Sequence, residues 1–98
     1  MRKKITRDHQ EYLLDALKAP EEAAAYLSAS LEEKDGELFL VALRNVVEAH
    51  GMARIAKKAK LNRENMYRML SENGNPEFSS LWSLVKSLGF RLSVLPAR

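Results

Sequence analysis

Apolar residues recur at helical spacing along most of the chain, and short polar or glycine-bearing breaks divide them into segments. The pattern predicts a first helix over 8–17, with Tyr12, Leu13, Ala16 and Leu17 on one face. A second helix starts near Pro20, where the missing N–H of proline costs nothing. It carries Ala23, Ala24, Tyr26, Leu27 and Leu31 and runs to about Lys34. Asp35-Gly36 breaks it, and Asp35 is placed to cap the next helix. The third helix, over 37–50, is apolar around much of its circumference (Leu38, Phe39, Val41, Ala42, Leu43, Val46, Val47), which predicts a central element covered on several sides. Gly51 stops it.

Two short helices follow, over 52–59 and 62–71, and then a loop at Gly74-Asn75-Pro76. A helix over 78–88 places Phe78, Leu81, Trp82, Val85 and Leu88 along one stripe, with Trp82 in the core or at a dimer interface, and Gly89 closes it. Phe90, Leu92 and Val94 then alternate with Arg91, Ser93 and Leu95 before Pro96, the period of a short strand. A lone strand needs a second copy or another protein to complete its ladder, so Arg91, Leu92, Ser93, Val94 and Leu95 are candidate dimer contacts. The fold expected is all-α with two N-terminal helices and a short C-terminal strand. The divisions are an N-terminal helical extension over 1–36, a binding domain over 37–90 and a tail over 91–98.

Composition narrows the function. The 98 residues suffice for one compact core and contain no cysteine, which excludes a disulfide scaffold or a cysteine-ligated zinc site and fits a cytoplasmic location. No apolar run is long enough to span a membrane, and the basic start leads into Asp8-His9-Gln10-Glu11 rather than a signal-peptide core, so no membrane partner is expected. His9 and His50 lie far apart without a carboxylate cluster, and neither a nucleophile elbow nor a glycine-rich phosphate loop is present; no metal, cofactor or catalytic site is expected. Charge is divided unevenly. Residues 1–38 hold six Lys/Arg against nine Asp/Glu, whereas residues 39–98 hold ten against four. A basic half is the electrostatic footprint of a phosphate binder.

The informative stretch is 52–71. Two helices meeting across a tight turn need small residues where they touch, and Ala56 and Ala59 supply them. Ile55, Leu61, Met66, Met69 and Leu70 form an apolar seam, and Asn62 can cap the second helix. At 100° per residue, Met66, Met69 and Leu70 face inward while Glu64, Arg68 and Ser71 face outward, flanked by Tyr67. Arg63, Glu64 and Arg68 are therefore candidates to read base edges in a major groove. Arg63 and Arg68 could instead be solvated surface arginines. Glu64 can accept a hydrogen bond from a cytosine amino group or pair with Arg68 at i,i+4. Tyr67 can donate its hydroxyl to a phosphate or pack its ring. Arg54, Lys57, Lys58, Lys60, Asn62 and Ser71 complete the set suited to the DNA backbone, against the plainer reading of a solvated basic face.

Those residues carry a resemblance. The segment Ile55-Ala56-x-x-Ala59-x-Leu61-x-Arg63-Glu64-Asn65-Met66-Tyr67-Arg68-x-Leu70-Ser71 resembles the helix-turn-helix of the lambda-repressor-like (XRE) family. With Glu11-Tyr12-Leu13, Tyr26-Leu27, Leu31-Glu32, Gly51-Met52, Gly74-Asn75-Pro76 and Leu88-Gly89, nearly the whole chain is similar to addiction-module antidote proteins, the HigA-like antitoxins. The departure is Lys60, which stands at a turn position usually held by glycine. The resemblance implies a lambda-repressor-like bundle. It also implies a homodimer bound to double-stranded operator DNA in the bacterial cytoplasm, associated with the nucleoid, repressing its own operon and neutralising a RelE/ParE-like toxin; the alternatives are an orphan helix-turn-helix regulator without a toxin partner and a protein-interaction module. The acidic N-terminal helices are then a candidate toxin-facing surface, or simply a cover for the core.

Overall fold

A computed structural model describes residues 7–32, 36–71 and 73–97. Helices α1 (Arg7–Ala16), α2 (Pro20–Leu31), α3 (Gly36–His50), α4 (Met52–Ala59), α5 (Arg63–Met69) and α6 (Phe78–Ser87) follow in order, and no strand occurs among the described residues. Pro20 opens α2 as expected. The proposed capping role of Asp35 and the end of the second helix at Lys34 lie outside the described residues.

α3 is the central element. α1 and α2 pack on it from one side and α4 from another, while α5 and α6 pack against α4. One continuous cluster of buried side chains links these helices: Leu17, Ala23 and Leu27 from the N-terminal half meet Leu43, Val46 and Val47 of α3, then Ile55, Met66, Leu70 and Leu84. A small polar relay adds direction to this apolar packing. Asn45 of α3 donates to the Tyr26 hydroxyl at 2.8 Å and accepts from Gln10 Nε2 at 3.4 Å, so α1, α2 and α3 are registered by side-chain hydrogen bonds as well as by burial. Ser83 of α6 donates to the Ala59 carbonyl at 2.9 Å and ties α6 to the end of α4.

Three expectations from the hydrophobic pattern need correction. Tyr12 is 77% exposed, because α1 turns Leu13 and Leu17 toward α3 and leaves Tyr12 on its acidic side. In α6 the buried arc is rotated toward Leu84, Val85 and Leu88, so Phe78 and Trp82 stand at its outer edge at 66% and 42% exposure, their rings tilted together at 5.6 Å. Trp82 is not a core residue. Leu38 and Val41 likewise remain half-exposed, so α3 is covered less completely than its apolar content suggested.

The fourth correction is the tail. Residues 91–97 are irregular and do not form the expected strand. Alternation alone cannot hold a strand when no second strand supplies ladder partners, and Val94 is left 95% and Leu95 79% exposed.

Candidate nucleic-acid interface

α4 and α5 form a compact two-helix unit whose construction follows from residue size. Ala56 and Ala59 are buried where α4 meets its neighbours, with Met52 and Ile55 on the same inner face. The opposite face of α4 carries Ala53, Arg54, Lys57 and Lys58, all exposed.

The connection between the helices is set by backbone hydrogen bonds. Leu61 N–H donates to Ala56 O at 2.8 Å and Lys60 N–H to Lys57 O at 3.1 Å, the paired 6→1 and 5→2 bonds of a Schellman end. That geometry places Lys60 in the left-handed region, at φ 60° and ψ 42°. Lys60 is the single non-glycine residue with positive φ among those described. α6 ends in the same way, with Phe90 N–H on Val85 O and Gly89 at φ 93°, there with the glycine that the geometry favours.

Asn62 begins α5 as the sequence suggested: its Oδ1 accepts from Asn65 N–H at 3.0 Å. With the start fixed, the helix divides cleanly. Met66 is fully buried, Leu70 nearly so, and Met69 packs against the core. Arg63, Glu64, Tyr67 and Arg68 are exposed. Of the outward set assigned at 100° per residue, Glu64 and Arg68 lie in solvent with the flanking Tyr67, whereas Ser71 is half-buried; the expected seam of Ile55, Leu61, Met66, Met69 and Leu70 lies within or against the core. Arg68 and Ser71 border an open hollow of about 500 Å³ between α5 and the start of α6, lined also by Asn65, Asn75 and Ser80.

The charge of this face is not neutralised locally. Residues 52–71 contain six Lys/Arg and one Glu. The two carboxylate ion pairs found among the described residues are Lys18–Asp15 and Arg44–Glu48, and neither uses a basic residue of this stretch. Glu64 and Arg68, which could have paired at i,i+4, do not, so both remain available to a partner.

Several assigned residues also have local work. Arg54 donates through Nε to the His50 carbonyl at 3.1 Å, which caps the last turn of α3 and directs the guanidinium back toward that helix. Ser71 Oγ donates to the Arg68 carbonyl at 2.8 Å, so its one O–H is already engaged within the chain. Tyr67 packs its ring, one of the two roles considered for it, and remains partly exposed. Its ring lies under guanidinium groups, with Arg44 Cζ 5.5 Å and Arg63 Cζ 6.0 Å from the ring centroid.

Arg44 is the residue that sequence reasoning missed. It lies on α3, outside the two-helix segment, and reaches the neighbourhood of α5 only because α3 packs beside α4. Its one sequence signal is Glu48, four residues on, which approaches its Nε at 3.6 Å. Residues 91–95 lie outside this unit, and Leu92 is the one of them that is partly buried. No group of His, Cys, Asp or Glu among the described residues could hold a metal ion. No helix among them is long and apolar enough to cross a membrane.

Comparison with known proteins covers nearly the full length of the chain. An uncharacterised protein of Haemophilus influenzae is 37% identical over 82 residues, which cover 84% of each chain. No solved structure matches at a significant level. The family model described as probable addiction module antidote protein matches residues 8–96. The chain therefore belongs to the family of probable addiction module antidote proteins, which makes it the antitoxin type of component in a toxin–antitoxin pair.

Proposed function

We propose that this antitoxin is also a sequence-specific DNA-binding repressor, with α4 and α5 as a lambda-repressor-like helix-turn-helix and α5 as the helix that enters the major groove. One observation carries the reading. The seven-residue α5 is anchored from below by Met66 and presents Arg63, Glu64, Tyr67 and Arg68 to solvent, with no carboxylate of the described residues paired to either arginine. An interaction module would more often show an apolar patch there.

In this reading Arg63 and Arg68 offer planar donor forks to guanine edges, and Glu64 accepts from a cytosine amino group. Lys57, Lys58 and Lys60, from α4 and the turn, and the outward amide of Asn62 meet backbone phosphates, with Arg54, Tyr67 and Ser71 at the margin. Two copies bound to a near-palindromic operator would place their α5 helices one helical turn apart, about 34–36 Å. The exposed Val94 and Leu95, with Arg91, Leu92 and Ser93, are our candidate contact between the copies. The partner protein is a RelE/ParE-like toxin encoded beside the gene, drawn to the acidic residues of the N-terminal half. The complex acts in the bacterial cytoplasm, on the nucleoid, and represses its own operon.

The test has two arms. The upstream promoter fragment should be retarded by the purified chain in the presence of excess competitor DNA. Coexpression should restore growth to cells producing the neighbouring toxin. Retardation that competitor abolishes would overturn the repressor reading, and continued arrest would overturn the choice of toxin.

A further inference from the structure

We propose that Arg44 forms a second, sequence-independent contact with the nucleic acid: a site for a backbone phosphodiester, assembled on the ring of Tyr67 beside the charge of Arg63. The inference rests on α5 being the groove helix and adds a residue from α3 to the binding surface.

Three features point to it. Both guanidinium carbons lie within 6.0 Å of one aromatic ring, from elements separate in sequence, so two cations are gathered over a single half-exposed side chain. One carboxylate faces them: Glu48, at 3.6 Å from Arg44 Nε. That distance makes an ion pair but not a hydrogen bond, and no hydrogen bond consumes the donors of Arg44 or Arg63 among the described residues. Two positive charges against one negative leave the cluster with a net charge of +1 and its hydrogen-bond donors free.

The chemistry selects the ligand. A guanidinium matches a phosphate oxygen pair in shape as well as in charge. A cation–π contact and a loose ion pair restrict the Arg44 side chain before any ligand arrives, so less conformational entropy remains to be lost on binding. Arg44 approaches α5 from its flank, on a helix outside the two-helix unit. A duplex whose groove holds α5 presents phosphates, not base edges, along such a flank. Tyr67 then positions Arg44 through its ring, in addition to its place at the margin of the duplex face.

Fluorescence anisotropy with the operator fragment and with scrambled duplex, over a series of salt concentrations, tests this directly. Thermal melts verify that each variant is folded. Arg44→Ala should weaken both duplexes by a similar factor, about threefold or more, and reduce the slope of log K against log[salt] by about 0.9. Tyr67→Phe, which keeps the ring, should bind at least about threefold more tightly than Tyr67→Leu, in line with the worth of a cation–π contact. An Arg44→Ala protein with unchanged affinity and slope would overturn the proposal, as would Tyr67→Phe as defective as Tyr67→Leu. Protection of the cluster by millimolar inorganic phosphate at constant ionic strength would point to a free-anion site and overturn the assignment to duplex. If Arg44→Ala is inert while Arg68→Ala loses operator selectivity, only this inference falls. If the wild-type chain binds no operator, the groove-helix reading falls and takes this inference with it.

Discussion

Replacing Lys60 by glycine should make the protein more stable. Lys60 holds φ 60° and ψ 42° because the two backbone bonds that finish α4 require it. In that region the Cβ of an L-residue crowds the following carbonyl, at a cost of about 1–2 kcal/mol. Glycine escapes this cost but loses more freedom on folding, which returns about 0.5–1 kcal/mol. The side chain is exposed and makes no hydrogen bond or ion pair among the described residues, so little else changes. The balance favours Lys60→Gly by roughly 0.5–1 kcal/mol, which for a chain of this size raises Tm by about 3–6 °C. Urea denaturation and thermal melts, followed by circular dichroism, would measure it. Lys60→Ala is the control: it removes the charge but keeps the Cβ, and should stay within about 0.5 kcal/mol of wild type. If Lys60→Gly is no more stable than Lys60→Ala, the turn is not left-handed in solution and the account of it is wrong. The same substitution removes a cation from the proposed DNA face, so affinity for duplex should fall while stability rises. Opposed movements of that kind would explain why lysine occupies a site the backbone would give to glycine, as α6 does at Gly89.

Two further substitutions probe how α5 is held. Asn62→Ala removes the acceptor at 3.0 Å from Asn65 N–H and should cost about 1 kcal/mol in urea denaturation, with Asn62→Asp largely restoring it. Gly74→Ala should cost about 2 kcal/mol or more, because a Cβ there would collide with the Met69 carbonyl and lie 2.7 Å from its carbon; a melt unchanged from wild type would refute that packing.

The sequence was most legible where residue size dictates contact. Ala56 and Ala59 marked the inner face of α4, and its bounds fell where the spacing put them. Asn62 announced the start of α5, and the inward set of Met66, Met69 and Leu70 followed from the helical period. Legibility failed where a stripe could rotate. On α6 the apolar residues Phe78, Leu81, Trp82, Val85 and Leu88 span a wide arc, and the position of α4, not the arc itself, decides that Leu84 is fully buried while Trp82 is exposed. The tail shows another failure. Alternation at Phe90, Leu92 and Val94 is a statement about faces, but a strand also needs a ladder, and none of the described residues provides one. Arg44 could not be found from spacing, because its meaning depends on α3 lying close enough to α5 for a guanidinium to rest on Tyr67.

The central claim is that the basic outer face of α4 and α5 meets duplex DNA through α5. Its most direct test is the salt dependence of operator binding, measured side by side for the wild type and an Arg63→Ala/Arg68→Ala double variant. The account predicts a steep wild-type slope, at least about 4 in log K against log[salt], given about 0.9 per phosphate neutralised, with operator preferred over scrambled duplex. It predicts a shallower slope and no preference in the variant, with an unchanged melting curve. A wild-type slope near zero, or a double variant that still distinguishes the operator, would contradict it.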